Sequence, residues 1–297
     1  MKKAHEKKNT GFITKIEMKK PSAKILYYTM FAIMVIVSLS CFLPLMWIVI
    51  SGFKDTKEFY MVPPTIIPKS FHPEKLLKVW GTLSFSRYYI NSFIQATGCV
   101  VVCLLFNGLA GYAISRLKPV GHKVLSKFLF IMLLMPTTIG QVPLFMQLVD
   151  LPYIHKSALN SYIPLWLMTG GSAYNIILFK SFFDSISQSY IEAAKLDGCS
   201  VVGIFFRIMV PLCVPVFMVL TIFTFNGSWG GFLWPALLID EQTNYTVAEF
   251  LFRLDKTNFS LDEYMLILTF SMVPPLLIFI IFQKYIMTGF KLGGVKE

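Results

Sequence analysis

Four stretches of this chain, 25–52, 88–115, 208–239 and 264–283, run for twenty residues or more without one Asp, Glu, Lys or Arg. A helix crosses the hydrocarbon of a bilayer with roughly 20 mostly apolar residues, so each stretch is long enough to span. A soluble fold of 297 residues has no interior large enough to hide four such segments, and it needs a charged surface. Here 55% of residues are apolar and 14% charged, against roughly a quarter charged in ordinary soluble domains. The bilayer is the chain's main solvent, and the expected fold is an all-α polytopic membrane protein.

Apolar length and periodicity predict about six spans, near 25–50, 88–114, 128–148, 159–179, 209–225 and 264–284. With both termini cytoplasmic, the inner segments 1–24, 115–127, 180–207 and 284–297 hold 8, 4, 3 and 3 Lys plus Arg, 18 of the 27. That asymmetry is the positive-inside pattern. It also places the net charge of +11 at a membrane face, and no nucleic-acid partner is expected. The expected organisation is a basic tail (1–24), a first span (25–50), an outer loop (51–87), a core membrane domain (88–284) and a second tail (285–297). The first span is a retained anchor: its apolar run far exceeds the 7–15 residues of a signal-peptide core, and no small-x-small cleavage site closes it.

Several spans carry helix breakers: Pro136, Gly140 and Pro143, then Pro164, Gly170 and Gly171, then Pro211 and Pro215, then Pro274 and Pro275. Lipid tolerates these where neighbouring helices or water satisfy the freed backbone, so a packed bundle around a cavity is expected. Gly227 and Gly231 match small-xxx-small packing. Cys41, Cys99, Cys103, Cys199 and Cys213 read as small hydrophobes, and His5, His72, His122 and His155 fall in tails or loops; no metal set is expected. No ionisable residue sits at membrane depth, which argues against proton coupling. The chain contains no Gly-Lys pair, so it holds no phosphate-cradling loop. An ATP-driven process would need the nucleotide on another polypeptide.

The segment 184–211, between the fourth and fifth spans, carries helical punctuation. Ser189 with Glu192 fits a capping box, and Gly198 fits a left-handed C-terminal cap. Ile186, Tyr190, Ala193 and Ala194 share one face. Two alanines make that face too small for lipid and suit it to a protein groove.

Glu192-Ala193-Ala194-x-x-x-Gly198, nine residues, then Ile208-x-Val210-Pro211 resembles the EAA loop of binding-protein-dependent ABC importer permeases. Asn91-Ser92, Gly111-Tyr112-Ala113 with Arg116, Trp229-x-x-Phe232-Leu233-Trp234-Pro235 and the tail from Gly289 to Lys296 resemble the maltose-type carbohydrate branch, closest to its smaller permease. Val210 stands where the family has Leu, Ser187 where a proline often starts the helix, and Gly230 where an Asn often follows the tryptophan.

The resemblance implies an ABC importer type I transmembrane domain in a bacterial cell membrane. It implies a permease rather than an enzyme, paired with a second homologous permease on an ATPase dimer that holds ATP and Mg, and fed sugar by an extracellular solute-binding protein. It assigns ATPase coupling to Tyr190, Glu192, Ala193, Ala194, Leu196, Asp197, Gly198 and Pro211. Amides and aromatics suited to sugar hydroxyls give Asn91, Gln95, Gln141, Asn226 and Trp229 as pathway candidates. The outer loop 240–263 supplies Asn244, Tyr245, Glu249 and Arg253 as candidate binding-protein contacts. The competing reading is a stand-alone facilitator or ion-coupled carrier in which the Glu192 segment is an ordinary connector.

Overall fold

The structure, a computed structural model, describes residues 21–63, 65–136, 138–152 and 156–293, with 286–293 as backbone only. His5, His155, the N-terminal tail through Lys20 and the final residues from 294 lie outside the described residues. Helices dominate, and no strand occurs among the described residues. In chain order they are α1 (Pro21–Ser51), α2 (Glu74–Thr82), α3 (Phe85–Leu117), α4 (His122–Leu134), α5 (Gln141–Val149), α6 (Ile163–Thr169) and α7 (Ala173–Ser185). Then follow α8 (Gln188–Leu196), α9 (Val201–Leu212), α10 (Val214–Gly230), α11 (Leu233–Leu238), α12 (Val247–Arg253) and α13 (Leu261–Gly293).

Three helices, α1, α3 and the Leu261–Tyr285 part of α13, are long and apolar enough to cross a bilayer, and the α9–α10 pair passes the same test as one bent unit. The third and fourth expected spans are each broken in two. Met135 and Pro136 leave the helical region before α5 starts at Gln141, and Gly170 and Gly171 separate α6 from α7. Proline lacks the N–H that would continue the ladder, which ends the third span at Pro136. The fourth breaks at a glycine pair, glycine being weak in a helix interior, whereas Pro274 and Pro275 lie inside the unbroken α13. The fifth expected span also shifts. Its start at Met209 belongs to α9, the chain bends by 82° at Cys213, and the straight run is Val214–Gly230. Pro211 and Pro215 flank that bend. Neither can donate to the carbonyl four residues back, which is why the helix turns there.

The chain falls into two compact units, residues up to Leu76 with 259–269, and 77–258 with residues from Phe270 on. In the first, the segment after α1 is folded on itself by buried polar contacts. Lys54, 2% exposed, lays its ammonium 3.9 Å over the Trp47 ring and donates to the Thr65 carbonyl. The buried Glu58 carboxylate accepts from the Lys69 and Ser70 amides (3.0 and 3.2 Å) and the Thr65 hydroxyl (3.0 Å). Those bonds, the Lys69 amide first, hold its pKa at about 2, as expected where hydrogen bonds favour the charged form. Asp262 accepts from Thr56 Oγ1 and Lys75 Nζ, both at 2.6 Å.

The second unit is built on α3. Its buried stripe Gln95, Cys99, Cys103, Asn107 and Gly111 repeats every four residues. In an ideal helix that spacing drifts by about 40° per step. A widened π-turn at Cys103–Asn107 takes up part of the drift within the stripe, and a second, Ala113–Leu117, follows it towards the buried Ser115. The stripe is polar where it meets α6 and α7. Asn107, fully buried, donates to the Cys103 and Thr169 carbonyls (both 2.8 Å) and accepts from the Ser172 amide at 3.0 Å. It thereby satisfies backbone groups freed by the α6–α7 break. Gly98 and Gly111 are small for packing reasons. A Cβ at Gly98 would fall 2.2 Å from the Trp166 ring, and one at Gly111 would fall 2.7 Å from Phe179 Cβ. Gly227 behaves differently, since a Cβ there meets nothing within 4 Å. Among the described residues the Gly227/Gly231 pattern therefore does not mark helix packing.

Candidate functional site

The segment 184–211 folds as the helix α8 followed by the arm α9. Its N-cap is Ser187, whose Oγ accepts from the Ser189 amide at 3.4 Å, so Ser189 lies inside the helix and the expected Ser189/Glu192 box does not form. Ser187 thus starts the helix by accepting an orphan amide, where a proline would start it by presetting φ. The C-terminal expectation holds. Gly198 has φ +75°, and the Gly198 and Cys199 amides reach back to the Lys195 and Ala194 carbonyls at 3.1 and 2.9 Å. This is a complete Schellman closure.

The expected apolar face splits in two. Ile191 (2% exposed) and Ala194 (6%) enter the bundle's core with Tyr112, Phe179, Phe183, Ile204, Phe205 and Met209. Tyr190, Ala193 and Leu196 stay exposed, as do Glu192, Asp197 and Gly198. Ile186 precedes the helix and only partly packs on that core. The inward stripe therefore runs through Ile191 and Ala194, and the outward one carries a tyrosine, an alanine and a leucine that none of the described residues covers. Leu196 is 90% exposed. Pro211, on α9 beside the 82° bend, is also exposed.

The end of α3 grips this segment. The Arg116 guanidinium donates to the Phe183 and Ile186 carbonyls and, at 3.0 Å, to Gln188 Oε1. It thus caps the open carbonyls at the C-terminus of α7 and ties them to the first residue of α8. Ser115 Oγ donates to Asp184 at 2.5 Å, Lys180 pairs with the same carboxylate at 2.6 Å, and Tyr112 OH donates to the Val201 carbonyl at 3.3 Å. These bonds tie α8 and the start of α9 to α3 and α7.

The five pathway candidates do not converge. Asn91 is committed to the Thr243 and Tyr245 carbonyls (2.8 and 3.0 Å) and fastens α3 to the outer loop. Gln141 lines a 570 Å³ cleft with Leu144, Pro164 and Trp234. Asn226 and Trp229 border a 380 Å³ cleft beside α12, and the Trp229 indole donates to the Ser271 carbonyl at 2.8 Å within a cluster of Tyr89, Phe93 and Phe225. Gln95 lines a 640 Å³ cleft, whose polar members Thr169, Ser172, Asn175, Thr224 and Ser228 the sequence reading missed. Thr224 and Ser228 sit four apart on α10, one helix face; that spacing was the available signal.

Of the four candidates on 240–263, Glu249 is buried, Asn244 and Tyr245 are half-buried, and Arg253 is exposed. Glu249, fully buried, accepts from Arg253 Nε at 3.1 Å, and Arg253 also donates to the Ala236 and Ile239 carbonyls at the end of α11. The Arg253 guanidinium lies 4.9 Å from the Tyr245 ring, and the Asn244 carbonyl accepts from Tyr162 OH at 2.6 Å. Glu249 is thus buried beneath the surface and orients Arg253, whose guanidinium holds α12 onto the end of α11. Burial raises its pKa to about 7, with Arg253 pulling the other way. Because the folded value exceeds the ordinary 4.5, the stability this carboxyl contributes is complete below pH 4.5 and is lost as pH rises through 7. Amide hydrogen exchange over α12, corrected for intrinsic rates, is expected to quicken between pH 5.5 and 8. Glu249→Gln, which cannot ionise, should flatten that rise; an unchanged slope would show that another group titrates.

Residues 107–291 match the family described as binding-protein-dependent transport system inner membrane component. The chain is 30% identical over 259 residues, 85% of its length, to the probable ABC transporter permease protein YurM of Bacillus subtilis (strain 168), covering 83% of that protein. It is 29% identical over 265 residues, 87% of its length, to the arabinooligosaccharides transport system permease protein AraQ of the same strain, covering 92% of it. Its fold matches a chain from the crystal structure of a bacterial ABC transporter involved in the import of the acidic polysaccharide alginate. There the TM-score is 0.78 at 20% identity, with 90% of this chain and 98% of that one covered.

Proposed function

The chain belongs to the family of binding-protein-dependent transport system inner membrane components, and from that premise we infer that it is a permease subunit of an ATP-driven carbohydrate importer. It is a multi-pass membrane transport subunit rather than an enzyme. In this reading it forms the translocation pathway with a second permease, takes solute from an extracellular binding protein, and draws on ATP and magnesium held by a partner ATPase. A relative named for arabinooligosaccharide transport supports the carbohydrate class.

One observation carries the coupling role. The α8 helix is capped at both ends and anchored by Ile191 and Ala194, yet it leaves Tyr190, Ala193 and Leu196 uncovered. An exposed small-and-aromatic stripe on a rigid short helix suits insertion into a cleft of another protein. ATPase closure would then pull α8, and Arg116 would pass the movement to α3 and α7. Purified in mild detergent with the products of neighbouring genes, the chain is expected to bring a second permease and an ATPase with it. A lone chain that stays monodisperse and moves solute unaided in vesicles would overturn the proposal in favour of a facilitator.

A further inference from the structure

We propose that the 640 Å³ cleft between α3, α6, α7 and α10 is a saccharide subsite carried by this chain itself, shaped for an uncharged sugar unit. The proposal rests on the carbohydrate reading above and goes beyond it by placing a sugar contact on this permease. The volume lies within the range of small-ligand sites, about 300–1,000 Å³. Sugar hydroxyls leaving water need donors and acceptors in exchange. The wall supplies amides from Gln95 and Asn175 and hydroxyls from Thr169, Thr224 and Ser228, with the Trp234 ring as an apolar face.

Gln95 is the telling residue. It is 4% exposed, its Oε1 has no hydrogen-bond partner, and its Nε2 reaches only a soft acceptor, Cys99 Sγ at 3.7 Å. An orphaned buried acceptor costs about 1–3 kcal/mol and calls for an explanation; a ligand hydroxyl donating to it provides one. Asn175 likewise spends its Nδ2 on a thiol, Cys103 Sγ at 3.2 Å, leaving a stronger partner to be gained. Gly227, on the same lining, faces open space. A glycine inside a helix costs about 1 kcal/mol relative to alanine, and a bare backbone there lets a bulky ligand approach closely.

Among the described residues the lining includes no Asp, Glu, Lys, Arg or His. An acidic sugar would find no counter-charge on this wall, whereas a neutral one needs only the amides and hydroxyls present.

The test uses the assembled transporter, with partner permease, ATPase and binding protein, in liposomes. A mixture of neutral gluco-, xylo- and arabino-oligosaccharides and a matched mixture of galacturonate oligosaccharides are offered, and the lumen is read by mass spectrometry. Neutral sugar is expected to accumulate. Gly227→Leu, which fills part of the cleft, should slow its entry about tenfold or more, with Gly227→Ala intermediate. Thr224→Val, equal in shape, should raise the half-saturating concentration about threefold, the scale of one lost hydrogen bond, and it keeps the test open if Gly227→Leu does not assemble. Preference for galacturonate, or wild-type kinetics in both variants while wild type imports sugar, overturns the subsite alone. ATP hydrolysis with no saccharide of either kind entering removes the carbohydrate reading, and the subsite with it.

Discussion

Ala193→Trp is expected to cut solute uptake by about a hundredfold while the permease still folds, whereas Ala194→Trp should remove the folded permease itself. The two alanines are neighbours, but Ala193 lies on the exposed stripe and Ala194 is 6% exposed in the bundle's core. An indole at 193 projects from α8 and displaces whatever protein surface seats there. Uncoupling by a hundredfold needs only about 2.8 kcal/mol of lost docking. An indole at 194 must open a core that already holds Phe179, Phe183 and Phe205, and overpacking of that kind costs 1–3 kcal/mol or more. Vesicle uptake, ATPase co-purification and thermal stability in detergent separate the cases. Wild-type uptake by Ala193→Trp would sink the docking role of the outer stripe.

Gly111→Val should be the most damaging single change on α3. A Cβ at this position would sit 2.7 Å from Phe179 Cβ and 3.1 Å from both the Ile176 carbonyl and the Lys180 amide. Two of those three atoms are backbone of α7, so no rotamer change relieves the contact and the helices must part. The expected loss is about 3 kcal/mol or more, seen as a lowered melting temperature. Transport should fall further than stability alone predicts, because Arg116, little more than a turn along the same helix, loses its hold on the Phe183 and Ile186 carbonyls. Gly98→Ala provides the contrast. Its obstruction is the Trp166 ring, a side chain that can swing aside at the cost of its bond to the Gln95 carbonyl, about 1 kcal/mol. Equal damage from the two variants would refute the backbone-contact argument.

Much of the coupling segment could be read in the sequence. Gly198 signalled a left-handed cap, and the cap is there; the helix between Ser187 and Gly198 has nearly the expected extent. Its inward face could not be read. Ile186, Tyr190, Ala193 and Ala194 make one plausible stripe and Ile191 with Ala194 another, and both fit a 3.6-residue period. Periodicity tells that a face is apolar but not which of two protein neighbours covers it. The pathway candidates fared similarly. An amide in an apolar run is conspicuous in sequence whether it bridges a break, as Asn107 does, fastens a loop, as Asn91 does, or lines a cleft, as Gln95 does.

What the sequence determined by itself was the solvent and the need for partners. Runs of twenty and more apolar residues leave a helical membrane protein as the available fold, because lipid offers no partner for an unpaired backbone group. A chain without a phosphate loop must take any ATP energy from elsewhere. What only the tertiary structure decided was which breakers break, which glycines are close contacts and which open space, and which stripe of α8 is left uncovered. Those outcomes depend on atoms brought together from α3, α6, α7 and α10, more than a hundred residues apart at the extremes. No local pattern carries them, since each residue's role is set by the neighbour that arrives.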